Sequence, residues 1–452
     1  MSEVKKELKY HKFILPNGLK CILYKRSEIH SVSIEVNVGV GSLDEDKVNN
    51  GISHLIEHLG FDGTEELSTY NDIDRFSNSI SGSGNAYTSN SNTVYHGTYP
   101  SQYLEQALYY YSQIVFHPTH KKEFIKKEKT IVLDEMKRYE DMVSTKIHIN
   151  IIENRFENSN SQFSAPIIGT KETVKSFTRD QILNFYKSNY TPKNIEILVV
   201  GNFNLQEIKR YLKIYFYDKL KNKSFGDKPQ RNFIKNYPAY SSFKINAKQK
   251  LDLDQYYLTF TFPSLEFLFN KQRVRSLIDF LNDNTASGQY QQSILWKVLR
   301  EELGIVYGVS AWRSGLTSRA YNTIQTSFSP EHLETVLKEI YKGLNLIKSG
   351  KISDEIFKMI KKQVVDTQLM DLDNPKRALG WIEQQELELK YHNEFFTPEQ
   401  YVEMIQAYNF KEIIDMANKV FDWDKLNIGI VTKDEPKEIE NKIKIIWNKI
   451  TK

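Results

Sequence analysis

Cys21 is the only cysteine in a chain of 452 residues. No intrachain disulfide can form, and no thiolate cluster can hold a metal. The shortage fits a reducing compartment, and the expected location is the cytoplasm. Long apolar runs are missing as well. No stretch of about 18 apolar residues occurs, so no membrane span is expected. The first residues, MSEVKKELKYHK, lack the apolar core of a secretory signal and the arginines of a transit peptide. Charge of one sign is also scarce. A net charge of +4 is too small on this length to point to nucleic acid. Lys and Glu are interspersed, as on an ordinary solvated surface.

What is present is ordinary for a globular protein, with 40% hydrophobic and 26% charged residues. The length exceeds what one core usually holds, so two or more domains are expected. Residues 20–38 read as two strands. The second alternates, with Val32, Ile34, Val36 and Val38 on one face. Helical spacing follows at Gly51–Leu59 and Thr69–Ser79. A turn-rich, then β-like stretch covers Gly82–Tyr99, and two amphipathic helices cover about 101–116 and 120–142.

The second half replays this series. NTVYHGTYPSQYLE at 92–105 is echoed by NTIQTSFSPEHLE at 322–334, each before a pair of helices. The implied fold class is α+β. Two homologous units are expected, each an antiparallel-rich sheet with helices packed on one face. Residues 1–222 would form the first unit and 250–452 the second, joined by a polar linker at 223–249 carrying Gly226, Pro229 and Pro238.

One segment carries chemistry, GISHLIEHLGFDGT from Gly51. His54, Glu57 and His58 stand at i, i+3 and i+4, so a helix projects all three from one face. Two imidazoles one turn apart can grip one metal ion, and zinc suits such ligands. A carboxylate beside them can take a proton from the metal's water. This H-x-x-E-H arrangement is that of the inverted zincins. The plainer alternative is a polar helix face. A third ligand is needed, and Glu135 follows His58 with 76 residues between them, with Glu128 two turns before it on one helix. Taken alone, a glutamate on this Lys/Glu-rich helix reads first as half of a surface ion pair.

These residues together resemble the pitrilysin family of zinc metallopeptidases, which includes mitochondrial processing peptidase. NGLKCIL at 17–23, FDGT at 61–64, GSGNAYTSNSNTVY at 82–95 and LREELGIVYGVSA at 299–311 also resemble family landmarks, so the likeness spans about 10–430. As a two-unit chain it is similar to the processing peptidase beta type and the bacterial processing proteases. The resemblance implies that His54, His58 and Glu135 ligate Zn2+, that Glu57 is the general base, and that Glu128 orients a ligand histidine. Asn85 and Ala86 would hold the substrate backbone, with the peptide added as a strand. Arg300 and Tyr307 would bind a substrate carbonyl and stabilise the oxyanion. Without the resemblance, Arg300 reads as a helix-surface residue and Tyr307 as part of a core strand.

The second unit shows no metal set. Aligned by eye, Lys361 and Gln368 stand where Glu128 and Glu135 stand in the first. The implied function is a zinc endopeptidase cutting peptides of modest length in an enclosed chamber. One chain would supply half of a clamshell, so a homodimer, or a heterodimer with a related chain, is expected. Arg300 and Tyr307 of one subunit would then serve the zinc of the other. The competing readings are an inactive partner subunit of a heteromeric peptidase and a peptide-binding module with vestigial chemistry.

Overall fold

A computed structural model describes residues 10–156, 165–226, 242–263, 272–286, 292–314, 321–392 and 394–452. The chain runs β1 (Tyr10–Ile14), β2 (Lys20–Lys25), β3 (Ser31–Val38), α1 (Ile52–Leu59), α2 (Tyr70–Ser79), β4 (Ser83–Thr88), β5 (Thr93–Pro100), α3 (Leu104–Phe116), α4 (Lys122–Glu140) and α5 (Val143–Phe156). Then come α6 (Lys171–Ser176), α7 (Arg179–Asn189), β6 (Ile195–Gly201) and α8 (Leu205–Phe216). The later part holds β7 (Lys244–Asn246), β8 (Tyr256–Pro263), α9 (Gln272–Asp279), α10 (Ile294–Trp296), β9 (Val309–Ser314), β10 (Tyr321–Phe328), α11 (Leu333–Lys348) and α12 (Asp354–Asp371). It ends with α13 (Pro375–His392), α14 (Pro398–Gln406), α15 (Phe410–Val420), β11 (Asn427–Val431) and α16 (Pro436–Ile450).

Two compact units result. The sheet of the first has the order β1-β2-β6-β3-β5-β4, and that of the second β7-β11-β8-β10-β9. Each is antiparallel except for one pair, β2 with β6 and β7 with β11. Strand for strand, β2-β6-β3-β5-β4 is repeated as β7-β11-β8-β10-β9, so the two units share one topology. In the first sheet the alternation of β3 has its expected consequence. Val32, Ile34, Val36 and Val38 are fully buried beneath residues of α1, α3 and α8.

The opposite face of β3 is buried too, with Ser33 at 2% and Glu35 at 4% exposure. The cause lies far away in sequence. Ala378, Leu379 and Ile382 of α13 pack on Ile22, Tyr24, Leu198 and Val200 of β2 and β6. Glu383 accepts a hydrogen bond from Asn37 Nδ2 at 3.2 Å. The second sheet is covered reciprocally. Ile147 and Ile151 of α5 pack on Tyr321 and Val431. Asn150 Nδ2 donates to the carbonyls of Asn246 and Ile430 at 3.2 and 3.0 Å.

Two segments therefore lie with the unit that sequence order would not assign them to. Among the described residues, 10–137, 165–226 and 371–384 form the first unit. Residues 138–156, 242–370 and 385–452 form the second, apart from the undescribed stretches between. Of the linker expected at 223–249, residues 227–241 lie outside the described residues.

The repeat also corrects the alignment made by eye. In α4, Lys129 Nζ donates to the carbonyls of Lys175 and Phe177, closing the end of α6. In α12, Lys361 Nζ donates to the carbonyls of Gln406 and Tyr408, closing the end of α14. Lys361 is thus the counterpart of Lys129, and the helix starts Lys122 and Asp354 keep the same offset. Ile360 and Thr367, not Lys361 and Gln368, occupy the positions of Glu128 and Glu135. Ile360 is 1% exposed, so an apolar side chain stands where the first unit has a carboxylate.

Candidate metal centre

α1 is short, and its position is fixed at both ends. Ile52, Leu55, Ile56 and Leu59 are buried in the core, which leaves His54, Glu57 and His58 on the remaining face. Gly51 precedes the helix at φ 93°, and a Cβ there would meet Gly169 Cα at 2.6 Å. The first turn is closed by Glu45, whose carboxylate accepts the N–H groups of Gly51 and Ser53, both at 2.8 Å. Burial pushes the Glu45 carboxyl up, and those two donors oppose the push.

α4 brings two glutamates to this face. Glu135 Oε2 lies 3.8 Å from His54 Nε2 and 3.6 Å from His58 Nε2. The three ligand atoms all fall within 4.8 Å of one another, so one cation could take all of them. A tetrahedral zinc with bonds of about 2.0–2.1 Å spaces its donors by roughly 3.4 Å. The two measured separations are close to that, and the imidazole and carboxylate donors are those that zinc accepts. Burial, and next the neighbouring His58, push His54 down to about 3, which keeps it the neutral imidazole a metal needs.

Glu128 lies behind His58. Its Oε2 is 2.9 Å from His58 Nδ1, and it is 5% exposed. A carboxylate there places the imidazole proton on Nδ1 and leaves Nε2 free to ligate. Burial alone would raise the Glu128 carboxyl. The bonds from His58 and from Lys127 Nζ, 3.1 Å from Oε1, outweigh burial and hold it below its ordinary value. Lys127 also binds Asp62. Substituting Glu128→Gln is expected to weaken zinc affinity about 10- to 100-fold, and competition with a chelator of known affinity would measure it.

Glu57 faces the same space, 7% exposed. Burial pushes its carboxyl up to about 7. The Thr88 hydrogen bond and His58 oppose this, and Glu135 adds to it. Thr88 Oγ1 donates to Glu57 Oε2 at 2.6 Å. Neither Thr88 nor Glu45 was evident from sequence. Glu45 caps from six residues before Gly51, outside the usual capping spacing. Thr88 reaches Glu57 only because the sheet places β4 beside α1.

Asn85 and Ala86 lie on β4, an edge strand whose described neighbour is β5. Asn85 is exposed, and Ala86 packs partly against the core. Space is tight at the glycine on the partner strand. A Cβ on Gly97, opposite Gly84, would fall 2.6 Å from Tyr111 Oη.

Arg300 and Tyr307 lie in the second unit and touch each other. The Arg300 guanidinium is 5.1 Å from the Tyr307 ring centroid and also donates to the Tyr307 carbonyl. Tyr307 follows the helical turn rather than lying in a strand, and it is 84% exposed, so it is no core residue.

Comparison with known proteins matches the chain to one peptidase family in two parts. Residues 21–171 match the family described as Insulinase (Peptidase family M16), and residues 176–364 match Peptidase M16 inactive domain. The chain is 27% identical over 414 residues to the uncharacterized zinc protease YmxG of Bacillus subtilis, covering 91% of this chain and 96% of that protein. An uncharacterized zinc protease of Rickettsia felis is also 27% identical, over 90% of this chain and 94% of its own length. The fold is that of a protease from Helicobacter pylori, with a TM-score of 0.82 at 19% identity, covering 94% of this chain and 99% of that one. The metal-side residues all fall within 21–171, and Arg300 and Tyr307 within 176–364.

Proposed function

The chain belongs to the M16, or pitrilysin, family of peptidases, and from that premise we propose that it is a zinc-dependent endopeptidase. The observation that carries the reading is the meeting of His54, His58 and Glu135 donor atoms within 4.8 Å, with the Glu57 carboxylate on the same helix face. Zinc held there supplies Lewis acidity and lowers the pKa of water. Glu57 takes a proton from the attacking water and passes it to the leaving amine. Glu128 holds the His58 ring. The open edge of β4 takes the substrate as an added strand, with its backbone at Asn85 and Ala86. The match described as inactive, residues 176–364, contains none of the metal donors or the base, and the retention of those residues outside it weighs against an inactive partner subunit.

The test is metal removal. Chelation should abolish cleavage of a quenched peptide of some ten residues, and stoichiometric zinc should restore it. Cleavage that survives a measured zinc content near zero would end this reading.

The working enzyme is a dimer, with itself or with a related chain, in which Arg300 and Tyr307 of one subunit complete the other's site. The support is their placement in the unit that lacks the metal donors, with Tyr307 exposed. A closed two-fold pairing is also the commonest oligomer. Glu57→Gln subunits and Arg300→Ala/Tyr307→Phe subunits should each be weak alone. Mixed, they should regain activity through one intact site per heterodimer. Mixtures that exchange subunits yet recover nothing would refute the pairing.

A further inference from the structure

We infer that Thr88 is the positioning residue for the Glu57 carboxylate, and that it ties the peptide-binding edge strand to the general base. The inference rests on the peptidase reading above.

Thr88 is the last residue of β4, and its side chain faces α1. Its neighbour Tyr87 faces the other way, against the His96 ring at 5.9 Å. The Thr88 hydroxyl has one hydrogen, and Glu57 Oε2, 2.6 Å away, receives it. The next hydroxyl, Thr93 Oγ1, is 3.4 Å off and donates instead to the Val40 carbonyl at 3.0 Å. Among the described residues the Thr88 proton therefore has one close acceptor, the Glu57 carboxylate at 2.6 Å, with the neutral Thr93 oxygen well behind at 3.4 Å. A carboxylate buried like Glu57 is costly unless donors meet it, and its free oxygen has to remain aimed at the reacting water.

The anchor for Thr88 is shared with α1. Beyond β4, the carbonyls of Ser89 and Asn90 accept the N–H groups of Ser42 and Leu43 at 3.1 and 2.9 Å. The segment that holds this hairpin tip runs directly into Glu45, which caps α1. Strand end and helix start are thus fastened to one short loop, with the Thr88–Glu57 bond spanning between them. A peptide pairing along the outer edge of β4 would fix the backbone of residue 88, and so the base, at the moment the scissile bond arrives. Binding energy along the strand would appear in turnover rather than in affinity alone.

The test compares Thr88→Val with Thr88→Ser on zinc-loaded enzyme. The valine variant removes only the donor. Its kcat should fall about 10- to 100-fold, the value of a hydrogen bond to a charged group, with KM within about twofold and zinc content unchanged. Serine should restore most of the loss. The advantage in kcat of long peptides over tetrapeptides should shrink with valine and return with serine. Crystals of the metal-free valine variant should show the Glu57 carboxylate moved from its place beside residue 88. If valine does not fold, Thr88→Ala carries the same comparison. Wild-type kcat in the valine or alanine variant, or a loss confined to KM, would overturn the assignment. A wild-type enzyme without zinc-dependent cleavage would instead refute the functional reading.

Discussion

Glu57→Gln should bind a full equivalent of zinc and cleave peptide at least about a hundredfold, and up to about ten-thousandfold, more slowly than wild type. The two effects separate because the groups do. The donors near one another are His54, His58 and Glu135, and Glu57 is not among them. Glutamine has nearly the same shape, and its amide oxygen can still accept the Thr88 hydroxyl, so packing at this buried site is conserved. What it cannot do is take a proton. His54→Ala and Glu135→Gln should lose metal and activity together. Zinc content and turnover, measured on the same preparations, decide the matter. Near-wild-type cleavage by Glu57→Gln with zinc bound would show that another group is the base.

A fragment of residues 1–222 should fail to fold as a soluble, cooperative unit. It contains every metal-side residue, yet it lacks 371–384. Without that segment, Ile22, Tyr24, Leu198 and Val200, now between 0 and 9% exposed, face water as a continuous stripe. The lost burial costs on the order of 5 kcal/mol, against a typical total stability of about 5–15 kcal/mol. Appending residues 371–384 through a flexible linker should recover soluble protein. Soluble yield and urea unfolding of both fragments would check this. A well-behaved 1–222 fragment with a sharp transition would show that the sheet does not need this cover.

How much could be read beforehand depended on distance along the chain. His54, Glu57 and His58 are local, three positions on one helix, and the helix formed where their spacing placed it. The apolar face of β3 was equally legible. Its polar face was not. Alternation marks only the Val32 face of β3, and the cover on the other side of the sheet comes from α13, more than 300 residues on. Glu128 and Glu135 carried no local mark distinguishing them from surface glutamates, and only the family pattern singled them out. The register of the second unit was misread by one residue because amphipathic helices offer several similar alignments. The carbonyl-capping lysines Lys129 and Lys361 decide it, through contacts no sequence displays. Thr88 and Glu45 were missed for the same reason, since each acts across a tertiary contact.

The exchanged helices have a consequence during synthesis. The last strand of the first sheet is complete at Gly201, but its cover begins to emerge only after Asp371, 170 residues later. At about 5–20 residues per second, that leaves one face of the nascent sheet bare for roughly 10 to 35 s. Over the same period α5 is finished while β11, on which it will lie, is not yet made. The ribosome therefore carries a finished α1 beside a sticky, half-roofed sheet, a state in which a chaperone or a neighbouring nascent chain could bind before residues 371–384 arrive.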